Sequence, residues 1–270
     1  MDFIVTRSAA VLVFALTSGG VLAAAEKQPE APAEEATPAE EVVDPVLEHS
    51  FFRGWEGSAE VGMNGSTGNT ERFNLRAGIN AERDTDRTFT TTSLTYTYAK
   101  EDGNDTENRL RFQLRNDWKL PDSPRWFVFA QGNAEYDDFQ DWDVRLDGFF
   151  GLGYRFIDTE RTRLNGRLGT GLSYDIGGSD NRIRPEGLLG VDFRHQITER
   201  QLFRADTEYL PEYSNFAHYR IRSRASYEIL VDPEVNLTLR LGVENRYDSN
   251  PGDGFKRNDF DYFAVLAWAF

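Results

Sequence analysis

The sequence predicts an all-β fold: a transmembrane up-and-down antiparallel β-barrel of about 12 strands. Three observations predict it. From Phe51 onward, apolar residues occupy alternate positions for roughly ten residues at a time, and turn-forming clusters reset the count. Tryptophans and tyrosines sort to opposite ends of these segments. The last segment, Asn258 to Phe270, places Phe260, Tyr262, Ala264, Leu266, Trp268 and Phe270 on one parity. An open aromatic strand invites aggregation, whereas a strand that closes a barrel against the first one has its partner supplied.

Composition narrows the setting. The 270 residues carry a formal net charge of -15, which argues against a nucleic-acid partner because such a protein shows a basic footprint. No cysteine is present, so disulfide and thiolate chemistry are excluded. Arg7, the apolar run Ser8 to Leu16 and the small residues Ala23-Ala24-Ala25 read as a secretory signal peptide over 1–25, cut after Ala25. Thr17-Ser18-Gly19-Gly20 breaks the run before the roughly 20 residues that a membrane helix needs. Residues 26–50 hold eight acids, one Lys and four prolines, and are expected to be a disordered periplasmic spacer. Nothing further along could cross a membrane as a helix, so a membrane protein here must be a barrel spanning 51–270.

The elements follow in order. The first strand, about 54–65, sets Trp55, Gly57, Ala59, Val61 and Met63 against Glu56, Ser58, Glu60 and Asn64. After a turn at 66–70, Phe73, Leu75, Ala77, Ile79 and Ala81 oppose Arg72, Asn74, Arg76 and Asn80. The third strand is Thr-rich, with Leu94, Tyr96 and Tyr98 on its apolar face; the fourth sets Leu110, Phe112, Leu114 and Trp118 against Arg109, Arg111, Gln113 and Arg115. Trp126, Val128, Ala130, Ala134 and Tyr136 mark the fifth, and Leu146, Phe150, Leu152, Tyr154 and Phe156 the sixth. The seventh, eighth and ninth follow Leu164–Tyr174, Leu189–Phe193 and Phe203–Tyr209. The tenth sets Tyr219, Ile221, Ala225, Tyr227 and Ile229 against Arg220, Arg222 and Arg224, and the eleventh runs from Val235 to Tyr247. Connections at Asp84, Pro121, Asp158, Thr198 and Asp232 read as tight, and those at Ser66, Glu101, Asp137, Asp175, Pro211 and Asp248 as longer. That is the asymmetry of short periplasmic turns and longer outer loops.

Trp55, Trp118, Trp126 and Trp268 fall at the expected periplasmic strand ends, and Tyr98, Tyr136, Tyr174, Tyr209, Tyr219, Tyr247 and Tyr262 near the opposite rim. Two such bands fit aromatic girdles in the two headgroup regions. Trp142, in the loop after Asp137, is the exception.

Several stretches resemble one bacterial family. Gly54-Trp55-Glu56-Gly57 running to Gly68-Asn69-Thr70, the segment Gly153 to Thr162, and Tyr247-Asp248-Ser249-Asn250-Pro251 are similar to the salt-induced outer membrane proteins known as domain of unknown function 481. The resemblance covers about Trp55 to Phe270. It implies an outer-membrane barrel and brings no catalytic residues with it.

Function would lie in the lumen. The inward parity carries Arg72, Arg76, Arg109, Arg111, Arg115, Arg163, Arg167, Arg220, Arg222, Arg224 and Arg240, candidates for a solute path. Aligned arginines would make a narrow channel that prefers anions and acidic solutes, because guanidinium groups grip carboxylates in a fork. The alternative is a non-conducting structural or stress-response barrel, its lumen filled by ion pairs with inward acids such as Glu60, Glu135, Asp147 and Glu244. A third reading, a rim hydrolase, would use His218 with Ser214, but a triad is defined by geometry. No catalytic residue, cofactor or metal is assigned: the acidic loops at 102–105 and 248–253 lack calcium-loop spacing. The expected partners are outer-membrane lipid, the barrel-assembly machinery and a small anionic solute. Phe270 doubles as the expected assembly signal. Its deletion should lower the amount of protein assembled in the outer membrane; normal assembly without it would remove that role.

Overall fold

The structure, a computed structural model, describes residues 54–68, 71–178 and 181–270. The expected signal peptide (1–25), acidic spacer (26–50) and the turn residues Asn69 and Thr70 lie outside the described residues. Within them the alternating segments form twelve strands: β1 (Trp55–Ser66), β2 (Arg72–Asp84), β3 (Thr88–Glu101), β4 (Asn104–Lys119), β5 (Trp126–Asp137), β6 (Val144–Asp158), β7 (Thr162–Ile176), β8 (Ile183–Thr198), β9 (Gln201–Pro211), β10 (Tyr219–Asp232), β11 (Leu237–Asp248) and β12 (Asn258–Ala269). Each pairs antiparallel with its sequence neighbours, and β12 returns to β1 to close the barrel. The proximal end, where β1 begins and β12 finishes, carries the connections at 85–87, 120–125, 159–161, 199–200 and 233–236.

Two connections differ from expectation. The link after Glu101 is a two-residue hairpin, with Asp102 at φ 48° and Gly103 at φ 85°. Positive φ at both positions is the primed turn whose twist matches the strands, and Asp-Gly is a preferred pair for it. The Asp102 carboxylate also accepts a hydrogen bond from the Glu71 amide at 2.9 Å, tying this hairpin to the start of β2. The link through Pro121 is longer than a tight turn, running over 120–125.

The alternation turns the usual globular arrangement inside out. Leu94, Phe112, Phe150, Leu168, Leu189 and Leu241 stand exposed on the outer surface, as do Trp118, Trp126 and Trp268 at the proximal end. Tyr209, Tyr219 and Tyr247 gather at the distal end, with Tyr219 5.4 Å from Tyr209 and 5.6 Å from Tyr247, ring centre to ring centre, whereas Tyr154 packs on Trp126 at the proximal end, 4.9 Å away. Thr-rich β3 tolerates this surface because its hydroxyls find partners on β4: Thr90 donates to Asn116 at 2.5 Å and Thr92 to the Gln113 carbonyl at 3.1 Å.

The interior holds a small apolar cluster that the alternation did not reveal: Phe127 and Phe129 on β5, Phe149 on β6, Leu188 on β8 and Leu210 on β9, all fully buried. Space for these rings comes from inward glycines on the neighbouring strands. The Phe127 ring lies over Gly153, Phe129 over Gly169 and Phe149 over Gly171, where any Cβ would collide with the ring.

Closure is uneven along the seam. The amide and carbonyl of Phe270 exchange hydrogen bonds with Gly57 at 2.9 and 3.0 Å, and Ser58–Val61 pair with Leu266–Ala269. Beyond Val61 the pairing stops, although β1 continues to Ser66 and β12 begins at Asn258. Met63 and Tyr262 on the two facing edges are 70% and 85% exposed. Cysteines at Glu60 and Ala267, register partners in the paired half, should therefore form a disulfide readily in this cysteine-free chain. Cysteines at Asn64 and Phe263, which the same register would oppose, should form it slowly. Equal rates on gels run with and without reductant would mean the seam is paired to the rim.

Candidate functional site

The inward face of the strands carries charges of both signs, and the barrel's stagger brings them together across the lumen. Arg111 on β4 holds Glu135 of neighbouring β5 with two hydrogen bonds, at 3.0 and 3.2 Å, and reaches across to Glu244 on β11. Arg109, two residues along, sits 2.9 Å from both Asp261 on β12 and Glu107. From the far wall Arg246 returns to Glu135 at 3.1 Å and Asp137 at 3.3 Å. Arg220 on β10 spans Asp147 on β6, at 3.0 Å, and Glu186 on β8, while Arg222 grips the other oxygen of Asp147. Nearer the proximal end, Arg167 binds Asp192 at 2.9 Å and Glu208 at 3.1 Å; Arg115 joins the same Asp192 at 3.0 Å and Asp117 at 3.2 Å. Arg240 pairs with Glu60 and, at 3.2 Å, with Glu228.

Burial makes these pairs consequential. Arg109, Arg111, Arg220, Glu135, Asp147, Glu186 and Glu244 are each less than a tenth exposed. A charge taken out of water carries a penalty of several kcal/mol, which its partner offsets only in good geometry. The guanidinium fork supplies that geometry, presenting parallel donors to a carboxylate. Sharing extends it: one carboxylate, Glu244, faces Arg76 at 3.6 Å, Arg224 at 3.8 Å and the bonded Arg111. Arg76 also lies 4.1 Å from the centre of the Phe263 ring, a cation–π contact beside the seam.

Two cavities lie in the barrel. A cavity of about 500 Å³ runs from the proximal end inward as far as Arg111, Arg222 and Glu244, and one of about 80 Å³ lies at the distal mouth beside Trp142, Arg145 and His218. They share no lining residue. Arg220 lines the distal space, Arg222 the proximal one, and both hold Asp147.

Ten of the eleven sequence-predicted arginines thus project into the barrel, and each has a carboxylate within ion-pair distance, Arg163 through Asp158 at 3.4 Å. Arg72 departs from expectation: it sits at the distal rim, 57% exposed at its side chain and bonded to Glu101 at 2.7 Å, because its strand has reached its end there. Arg145 was missed. It pairs with Asp175 through two bonds of 2.7 Å and lies 4.5 Å from the ring centre of Trp142, which accounts for the burial of that tryptophan. An Arg and an Asp at matched positions on adjacent strands were the available signal.

The rim residues do not assemble a triad. The Ser214 hydroxyl donates to Glu212, and His218 Nδ1 lies 3.7 Å from the other oxygen of that carboxylate, so the acid stands where the base would have to be. His195 bonds Thr162 at 2.8 Å at the proximal end, and His49 lies outside the described residues. Among the described residues no cluster of His, Asp and Glu is arranged for a metal ion.

The family model described as "Protein of unknown function, DUF481" matches residues 59–270. No curated protein matches the sequence. Among solved structures the chain is similar to the NanC porin, with 13% identity, 80% of this chain and 96% of that one covered, and a TM-score of 0.43. It is similar to the KdgM porin in complex with disordered oligogalacturonate, with 9% identity, 80% and 96% covered, and a TM-score of 0.39. It is also similar to the translocator domain of the autotransporter NalP from Neisseria meningitidis, with 10% identity, 84% and 91% covered, and a TM-score of 0.42.

The shared carboxylate gives a direct test of the lumen network. Glu244→Ala withdraws the partner of three arginines and should destabilise the barrel by about 3–5 kcal/mol. Arg72→Ala, at the rim, should change stability by about 0–1 kcal/mol. Thermal unfolding of the detergent-solubilised barrel compares them, and a small effect for both would mean the lumen charges are solvated.

Proposed function

The chain belongs to the DUF481 family, and we propose that it is an outer-membrane barrel closed at rest by ion pairs across its distal half, with a water-filled cup open at the periplasmic end. The outward belt of leucine and phenylalanine supports the membrane placement, because soluble monomers rarely expose contiguous apolar patches beyond a few hundred Å². Strands of about 12 residues tilted near 40° rise roughly 30 Å, enough for the hydrocarbon layer. Tryptophan at one end and tyrosine at the other suit the two headgroup regions. The proximal end is assigned to the periplasm because an exported chain enters and leaves the barrel there. Membrane lipid and the assembly machinery are then its partners.

The observation that carries the closed reading is the buried layer in which Arg111 is held by Glu135 and Glu244, and Arg220 by Asp147 and Glu186. Passage of a solute would need these pairs to part, at a cost of several kcal/mol for each charge left buried. The role is that of a structural envelope barrel, with no group arranged for catalysis in this reading. A second reading, an anion-preferring path that opens on demand, is favoured by the abreast arrangement of Arg163, Arg194 and Arg204 in the cup.

Planar-bilayer recording tests the first reading. The wild-type barrel should show no steady conductance, and Arg111→Ala combined with Glu244→Ala should produce one. A steady wild-type current would overturn the closed state, and an anion preference in that current would establish the second reading.

A further inference from the structure

We propose that the proximal cup contains a binding site for a small multivalent oxyanion, built by Arg163, Arg194 and Arg204. The three residues are register partners on β7, β8 and β9: Arg163 opposes Arg194, and Arg194 opposes Arg204. All three line the 500 Å³ cavity. Side chains directly opposite on one sheet face stand about 5 Å apart at Cβ, and like charges so placed repel. Elsewhere in this lumen such repulsion is relieved by carboxylates at close range. Here the relief is incomplete.

Arg163 meets Asp158 at 3.4 Å, but Asp158 is shared with Arg155 at 3.2 Å. Arg204 meets Glu228 at 3.4 Å and Glu82 at 3.6 Å, and Glu228 is held more closely by Arg240 at 3.2 Å. Asp192, one alternate position further into the barrel, is already engaged by Arg115 and Arg167, and Asp206 opposes Asp192 rather than the arginine row. Arg194, in the middle of the row, makes no ion pair and no side-chain hydrogen bond among the described residues. The residues directly opposite it on the two neighbouring strands are the other two arginines.

Three guanidinium forks on adjacent strands, lining one cavity, match an anion that carries several oxygen atoms, because each guanidinium can grip two of them. The opposite wall adds the hydroxyl of Thr91 on β3, whose neighbour Ser93 donates to Gln113 at 3.4 Å, and the Phe89 ring faces Arg163 at 5.7 Å. A cavity of this volume accommodates a small molecule rather than a chain. The ligand class is therefore a compact polyanion bearing carboxylate or phosphate groups. The site rests on the side chains alone and holds whether or not the barrel conducts.

Isothermal titration of the full-length, detergent-solubilised barrel with citrate and with pyrophosphate, at constant ionic strength, tests the site. At least one of the two should bind: citrate alone marks a carboxylate site, pyrophosphate alone a phosphate site, and both a site that reads charge. Arg194→Gln should weaken binding about tenfold or more, Arg194→Lys should restore part of it, and Arg72→Gln at the far rim should leave it unchanged. Arg204→Gln provides a second variant, and heat-modifiable migration on unboiled gels certifies that each variant is folded. No binding of either anion to the wild-type barrel, or wild-type affinity in a folded Arg194→Gln or Arg204→Gln barrel, would overturn the proposal.

Discussion

The cross-lumen pairing of arginine with carboxylate is the constraint on which the rest of the barrel depends. A closed sheet that turns its apolar side chains outward has no hydrophobic core to hold its shape. Here the interior is held by ionic braces joining opposite walls: β4 to β11 through Arg111 and Glu244, β4 to β8 through Arg115 and Asp192, and β6 to β10 through Asp147 and Arg220. Where a brace is buried, as with Arg111–Glu244 and Arg220–Asp147, loss of one partner strands the other charge in a low-dielectric interior. Shape and stability are therefore linked through the same side chains, and in the proposed closed barrel so is permeability.

Two features show where the braces give way to other devices. On the β5–β9 wall phenylalanine rings set over glycines pack beside the ion pairs of Arg145 and Arg167. At the β1–β12 seam, backbone pairing covers only the proximal part, and the contact between Arg76 and Phe263 lies close to where pairing stops. Unpaired amides and carbonyls are expensive in hydrocarbon. The unpaired stretch lies on the distal side, toward the end where the belt gives way to the tyrosine band.

Much of this was legible in the sequence, for reasons that are local. Parity places Arg109, Arg111 and Arg115 on one face and Leu110, Phe112 and Leu114 on the other, because a strand has a period of two whatever it packs against. Element number and order followed from the same alternation. The identity of the partners did not. Arg111 and Glu244 are separated by 133 residues, and only the stagger of the closed sheet brings them to one height. Parity turns Phe127 and Phe129 inward, but it does not show that they meet Phe149, Leu188 and Leu210 in an apolar cluster, since their places are made by glycines on other strands. Asp102-Gly103 carries the signature of a two-residue turn, but the acidic and polar residues around it read equally as a longer solvated loop. The arginines that suggested an anion ladder proved to be the cationic half of a paired network, and the incompletely balanced row joins one of them, Arg163, to Arg194 and Arg204.

The central claim is that the ion-paired layer separates the proximal cup from the distal mouth. The most direct measurement is the labelling of Thr91→Cys, which lines the cup, in this otherwise cysteine-free chain, by a small membrane-impermeant thiol reagent in proteoliposomes of one orientation. The account predicts fast labelling from the proximal side and none from the distal side on the same timescale. Equal rates from both sides would contradict it.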